Sequence, residues 1–211
     1  MSILKDISVT LQSGDANKVK ELVEQALNEN IEAVTILNDG LLAGMSELGD
    51  RWKRNEVFVP QVLIGARAMG VGTDVLEQAL SQAGIEPKGR VLIGTVKGDL
   101  HDIGKNLVAM MVKGAGYELI DIGVDVPAEK YVEEAEKHQV DIVMMSALLT
   151  TTMPYIKTVV DEFEARGVRD KYILMAGGAP VTADFVTKSG GDYYTSDAIT
   201  AAEKISELLP G

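Results

Sequence analysis

Asp99, His101 and Gly104 are the residues of this 211-residue chain whose types and spacing most clearly permit chemistry. His101 is one of two histidines. A carboxylate lies two residues before it and a glycine three after it. An imidazole that donates one ring N–H to a carboxylate has a fixed tautomer and a more basic second nitrogen, which suits it to ligate a metal. Zinc or non-haem iron sites need several protein ligands, and there is no cysteine to complete one. One histidine suffices where a macrocycle supplies the other ligands. The plain alternative is a solvent-exposed loop histidine.

The flanking pattern places this triplet. Val91 to Val96 is a short apolar run that reads as a buried strand, ended by Lys97-Gly98. From Ile103 a helical pattern puts Leu107, Met110, Met111 and Gly114 on one side. His101 then sits on a loop at the carboxyl end of a strand, where open α/β sheets bind ligands. Gly98 and Gly104 leave room for a bulky group beside the backbone.

Strands are predicted at about 91–96, 118–122, 141–146, 171–176 and 192–194, and helices at about 103–115, 127–137, 153–166, 180–189 and 197–209. This alternation implies a parallel sheet covered on both faces. Residues 1–86 read as all helix. A first helix from Ile3 ends at Ser13-Gly14-Asp15, and Asp15 can cap a second. In that second helix Val19, Leu22, Val23, Ala26 and Leu27 form an amphipathic stripe. A third is expected from about Ile31 to Leu48, and a fourth from Pro60, a suitable first-turn residue, to about Gln82. Short breaks between four helices predict an antiparallel bundle. Gly65, Gly70 and Gly72 each weaken the fourth helix by about 1 kcal/mol relative to Ala. Close helix packing, or a face kept thin for a flat ligand, would account for them. The Gly- and Pro-containing stretch 83–89 marks the boundary, giving domains 1–86 and 87–211.

Asp-x-His-x-x-Gly at Asp99, His101 and Gly104, followed by Ser146-Ala147-Leu148 and Gly177-Gly178, resembles the cobalamin-binding signature of corrinoid-dependent methyltransferases. Order and spacing both fit, and the likeness extends into the helical part. The chain is most similar to the small corrinoid proteins of methanol, methylamine and methoxyarene methyltransferase systems, and is similar to the cobalamin module of methionine synthase. The resemblance implies an α/β protein: an N-terminal four-helix-bundle cap domain, then a flavodoxin-like (Rossmann-type) five-stranded parallel-sheet cobalamin-binding domain with strand order 2-1-3-4-5.

It also implies roles. His101 would ligate cobalt in place of the cofactor's own base, with Asp99 and a hydroxyl residue behind it in a hydrogen-bond relay. Thr152, six residues past Ser146, stands where better-known relatives have Ser. Thr150 and Thr151 offer the same hydroxyl. Gly98, Leu100, Asp102, Ile103 and Gly104 complete the loop against the cofactor, and Thr150 joins them. Ser146 would contact the displaced base, Leu148 would pack on the tail, and Gly177 and Gly178 would leave space for it. Tyr193 to Asp197 would flank the tail. Apart from the resemblance, Asp99 or Asp102 could cap a turn or helix, and Gly-Gly after a strand could be a tight turn. Lys97 and Lys105 could pair with a cofactor phosphate or with Asp102.

The balance of 32 acidic to 20 basic residues, net −12, argues against nucleic acid or an anionic membrane as partner. No stretch approaches the ~20 apolar residues of a membrane span, and Met1-Ser-Ile-Leu-Lys-Asp lacks a signal-peptide core. A cytoplasmic protein is expected. The chain is too short to hold a barrel-type domain that would activate a methyl donor. The expected function is a methyl carrier between a donor-specific methyltransferase and an acceptor methyltransferase using tetrahydrofolate or a thiol, served by a corrinoid reductive activator. A methoxylated aromatic, as in O-demethylase systems, is the preferred donor; methylamine or methanol is the alternative. Competing classes are a cobalamin-based sensor, a corrin-free flavodoxin-like regulator and a cobalamin mutase subunit.

Overall fold

A computed structural model describes residues 2–82 and 87–210. The chain divides into two compact units, Met1–Pro87 with Lys113–Gly116, and Lys88–Val112 with Tyr117–Gly211. Residues 83–86 of the expected linker lie outside the described residues.

The first unit is helical: α1 (Ile3–Ser13), α2 (Ala16–Asn28), α3 (Ala33–Thr35), α4 (Ala43–Lys53) and α5 (Val59–Gln82). Gly14 stops α1 in a left-handed conformation, φ 79°. The Asp15 side chain accepts the Lys18 N–H at 3.0 Å and so caps α2. Between α3 and α4 the helix is π-wound over Ile36–Leu42, with the Ala43 N–H reaching back to the Asn38 carbonyl. The expected third helix is therefore continuous but starts at Ala33 and runs on to Lys53, so Trp52 lies within it. The chain turns after it at Asn55, φ 60°. Ile7, Leu11, Val19, Val23, Ile36, Leu41 and Leu76 are wholly buried in the core of this unit.

Two of the three α5 glycines are packing positions. A Cβ on Gly65 would lie 2.3 Å from Leu48 Cδ2, and one on Gly72 2.7 Å from Leu41 Cδ2; around Gly70 there is nothing within 4 Å. Gly65→Ala and Gly72→Ala should each destabilise by about 1–2 kcal/mol through overpacking. Gly70→Ala should stabilise by up to about 1 kcal/mol through helix propensity. Denaturant titration of the three variants checks the split. Equal effects at all three positions would contradict it.

The second unit alternates β1 (Arg90–Thr95), α6 (Ile103–Gly114), β2 (Glu118–Asp121), α7 (Ala128–His138), β3 (Ile142–Ser146), α8 (Tyr155–Ala165), β4 (Ile173–Gly177), α9 (Ala183–Lys188), β5 (Tyr193–Thr195) and α10 (Ala198–Leu208). The sheet is parallel, in the order β2-β1-β3-β4-β5. Val91, Leu92, Ile142, Val143, Leu174 and Met175 are wholly buried, as a sheet covered on both faces requires. β2 and β3 lie on opposite sides of β1, so the strand order reverses between β1 and β3, and open α/β sheets bind ligands at the carboxyl ends of the strands at such a switch point. In register, Thr95 faces Ser146, Ser146 faces Gly177, and Gly177 faces Thr195. The carboxyl edge of four strands is thus a row of small and hydroxylated residues.

Candidate functional site

The β1–α6 loop opens with a turn in which the Asp99 N–H donates to the Val96 carbonyl at 3.1 Å. Gly98 takes φ 85°, which a side chain would disfavour. Asp99 points inward and is fully buried. Its Oδ1 accepts the His101 N–H at 3.0 Å and lies 2.7 Å from His101 Nδ1. Its Oδ2 accepts from the Thr152 hydroxyl at 2.7 Å and from the N–H groups of Leu148 and Leu149 at 2.8 and 3.3 Å. Burial alone would raise the Asp99 pKa. The Thr152 hydroxyl, the Leu148 and His101 N–H groups and the His101 ring outweigh it and hold the carboxyl well below its ordinary 3.8.

An ionised carboxylate only accepts, so His101 carries a hydrogen on Nδ1, and the neutral imidazole presents its lone pair at Nε2. Nε2 has no hydrogen-bond partner among the described residues, and the His101 side chain is 50% exposed. His101 and Thr152 both donate to Asp99. The carboxylate is therefore where both bonds end, and it holds His101 and Thr152 in one hydrogen-bonded triplet. The added methyl of Thr leaves the bond to Asp99 at ordinary length.

The structure thus brings Asp99, His101, Leu148 and Thr152 together. Thr150 and Thr151 are not buried against the carboxylate as Thr152 is, and neither bonds to Asp99 among the described residues. Leu100, Ile103, Leu148 and Leu149 expose large apolar side chains, Leu100 by 71% and Ile103 by 77%. Asp102 is exposed and accepts from the Asn106 side chain at 3.1 Å. A Cβ on Gly104 would meet nothing within 4 Å. Ser146 is half-buried, and its hydroxyl has no partner among the described residues.

Gly177 and Gly178 differ from expectation in what they make room for. A Cβ on Gly178 (φ 133°) would lie 1.8 Å from the Ala147 carbonyl oxygen, and one on Gly177 2.7 Å from that of Thr195. Neighbouring backbone fills both positions. Lys105 is 3% exposed and pairs with Asp121 rather than with Asp102, with Asn106 Oδ1 at 2.9 Å. Asp197 is the N-cap of α10, accepting the N–H groups of Ile199 and Thr200.

Three groups behind the loop are not signalled by the sequence pattern: Thr95, Leu149 and Asp125. The buried Thr95 hydroxyl donates to the His101 carbonyl at 3.0 Å. Asp125, φ 53°, accepts the Gly98 N–H at 2.7 Å and donates its own N–H to the Asp99 carbonyl at 3.0 Å. A hydroxyl at a strand end gives a weak signal. Asp125 gives none, because its partner is 27 residues away.

Family comparison agrees with this geometry. Residues 89–203 match a B12 binding domain, and residues 3–77 match a second family of the same description. The chain belongs to the B12-binding family. This B12-binding protein is 37% identical over 212 residues to a corrinoid protein of Desulfitobacterium hafniense, covering 99% of this chain and 98% of the relative. It is 39% identical over 211 residues to dimethylamine corrinoid protein 2 of Methanosarcina acetivorans, covering 99% and 97%. A chain in the crystal structure of the methanol:cobalamin methyltransferase complex from Methanosarcina barkeri superposes with TM-score 0.88 at 29% identity, covering 99% of this chain and 80% of that one. Cobalamin is the cofactor this family implies, and the residues present fit it. A tautomer-locked imidazole offers Nε2 to a metal, four exposed apolar side chains suit a flat macrocycle, and the Ser146 hydroxyl offers a polar contact at the strand edge. Among the described residues no group of three or more His, Cys, Asp or Glu could hold a metal ion instead.

Proposed function

We propose that this chain is a corrinoid methyl carrier, its 87–211 region holding cobalamin and its 1–86 region serving as a helical partner domain. The observation that carries the reading is His101, with Nδ1 committed to a buried carboxylate and Nε2 open. His101 would ligate cobalt. Leu100, Ile103, Leu148 and Leu149 would exclude water from the apolar side of the macrocycle, with Gly98, Asp102, Gly104 and Thr150 beside it. Ser146 and the backbone at Gly177-Gly178 would receive the displaced base. Bound cobalamin supplies a cobalt centre that accepts and releases a methyl group. Asp99 keeps the proton on Nδ1, keeps the lone pair on Nε2 and makes that nitrogen more basic. Thr152 and the Leu148 N–H hold Asp99 in place.

A carrier needs a donor-specific methyltransferase, an acceptor methyltransferase and a reductive activator, and we assign those as partners. For the donor, the names of relatives at 36–39% identity favour a methylamine over a methoxylated aromatic.

The test is a visible spectrum after anaerobic reconstitution with hydroxocobalamin and desalting. The protein should retain the corrin with an imidazole-type cobalt spectrum. His101→Ala should retain part of it and lose that spectrum. A spectrum unchanged by the substitution would refute ligation by His101, and no retained corrin would refute the carrier reading.

A further inference from the structure

We infer that Thr95 and Asp125 are positioning residues that fix the direction of the His101 Nε2 lone pair. This rests on the reading of His101 as the cobalt ligand. His101 has four polar groups. Its N–H and Nδ1 are both held by Asp99 Oδ1, and Nε2 is open. The remaining group, the carbonyl, is held by the Thr95 hydroxyl at 3.0 Å. Among the described residues, Thr95 is therefore the one anchor of His101 that Asp99 does not supply.

It is a rigid anchor. Thr95 is fully buried and is the last residue of β1. Its N–H donates to the Gly123 carbonyl and its carbonyl accepts the Val126 N–H, each at 3.0 Å. Its position is thus set by the sheet and by the β2–α7 loop together. Asp125, in that same loop, grips the motif on both sides of the Asp99 Cα. Its carboxylate takes the Gly98 N–H at 2.7 Å, and its own N–H meets the Asp99 carbonyl at 3.0 Å. Gly98 and Asp125 are both left-handed, at φ 85° and 53°. Two such turns locked against each other define one loop shape. Asp99 orients the imidazole, while Thr95 and Asp125 orient the backbone that carries Asp99 and His101. Groups of this kind commonly change metal affinity 10–100-fold when removed.

The experiment reconstitutes wild type, Thr95→Val, Thr95→Ser, Asp125→Gly and Asp125→Asn with hydroxocobalamin at one neutral pH. It reads the ratio of imidazole-ligated to water-ligated cobalt from the visible spectrum. Thr95→Val keeps the shape and removes the hydroxyl. Asp125→Gly removes the acceptor and relieves the left-handed backbone. Each should lower the ratio about 10-fold. Thr95→Ser and Asp125→Asn, which keep the donor or acceptor, should restore most of it; Asn also tolerates the left-handed conformation. Wild-type ratios in Thr95→Val and Asp125→Gly would overturn the inference. So would a loss that Ser and Asn do not restore, because that marks general disruption. The Asp125 bond is at the surface, so that pair carries the test if Thr95→Val does not fold. A wild-type protein without an imidazole spectrum would instead refute His101 ligation itself, a separate outcome.

Discussion

Replacing Asp99 by Asn should free His101 from its anchor and cost the protein about 3 kcal/mol at neutral pH, in the range for breaking a buried charged network. The Asp99 carboxylate accepts from five donors: the N–H groups of His101, Leu148 and Leu149, the Thr152 hydroxyl and His101 Nδ1. Asn has the same shape but one acceptor and one donor end. Turned either way, its NH2 meets groups that also donate: His101 on one side, or Leu148, Leu149 and Thr152 on the other. The imidazole loses its fixed tautomer, so reconstituted Asp99→Asn should show little imidazole-ligated cobalt. The pH dependence has a definite sign. The folded carboxyl titrates below its ordinary 3.8, so its contribution is fully present well above that value. It is lost as pH falls from about 4 toward the folded pKa. Denaturant titrations of both proteins at neutral pH and near pH 3 should therefore show a gap that narrows in acid. A gap independent of pH would mean that shape, and not charge, carries the effect.

Gly178→Ala should be the most damaging single methyl in the second unit. Its Cβ would sit 1.8 Å from the Ala147 carbonyl oxygen, in a backbone conformation of φ 133°. The obstacle is main chain between two paired strands, where Ala147 N–H already donates to the Gly177 carbonyl at 3.2 Å. No rotamer change relieves it, so strand β4 or the loop after β3 must shift. That loop also delivers the Leu148 and Leu149 N–H groups to Asp99, so the shift reaches the site. A loss above about 3 kcal/mol is expected, with failure to fold as the extreme. Gly104→Ala, with open space around it, is the control and should stay within about 1 kcal/mol of wild type. Thermal unfolding of the two variants distinguishes them. Two variants of equal stability would show that the close approach of Gly178 and Ala147 is not required.

Much of this is legible from local pattern. The β1 strand, the loop at its carboxyl end and α6 follow from an apolar run, two glycines and a change of period. The resemblance implies the strand order, and with it the meeting of Asp99, His101 and Thr152. Three features are not legible. The π winding leaves no mark in the sequence, and the third helix reads as ending at Leu48 because Gly49-Asp50-Arg51 interrupts its apolar stripe. Lys105 and Asp121 pair across a strand crossover that sequence spacing does not reveal. Gly178 looks like room for a ligand because a glycine in sequence does not say which neighbour its missing Cβ would strike.

A π turn contains more residues than an α-helix of the same rise, and the stretch Ile36–Leu42 stores that surplus inside the helix joining α3 to α4. Loss of one residue there can be absorbed by return to α hydrogen bonding. The same loss within α2 would rotate every later side chain by about 100° around the axis. The stretch is thus a length buffer: the chain can lose a residue at this point while the faces presented by α3 and α4 stay as they are.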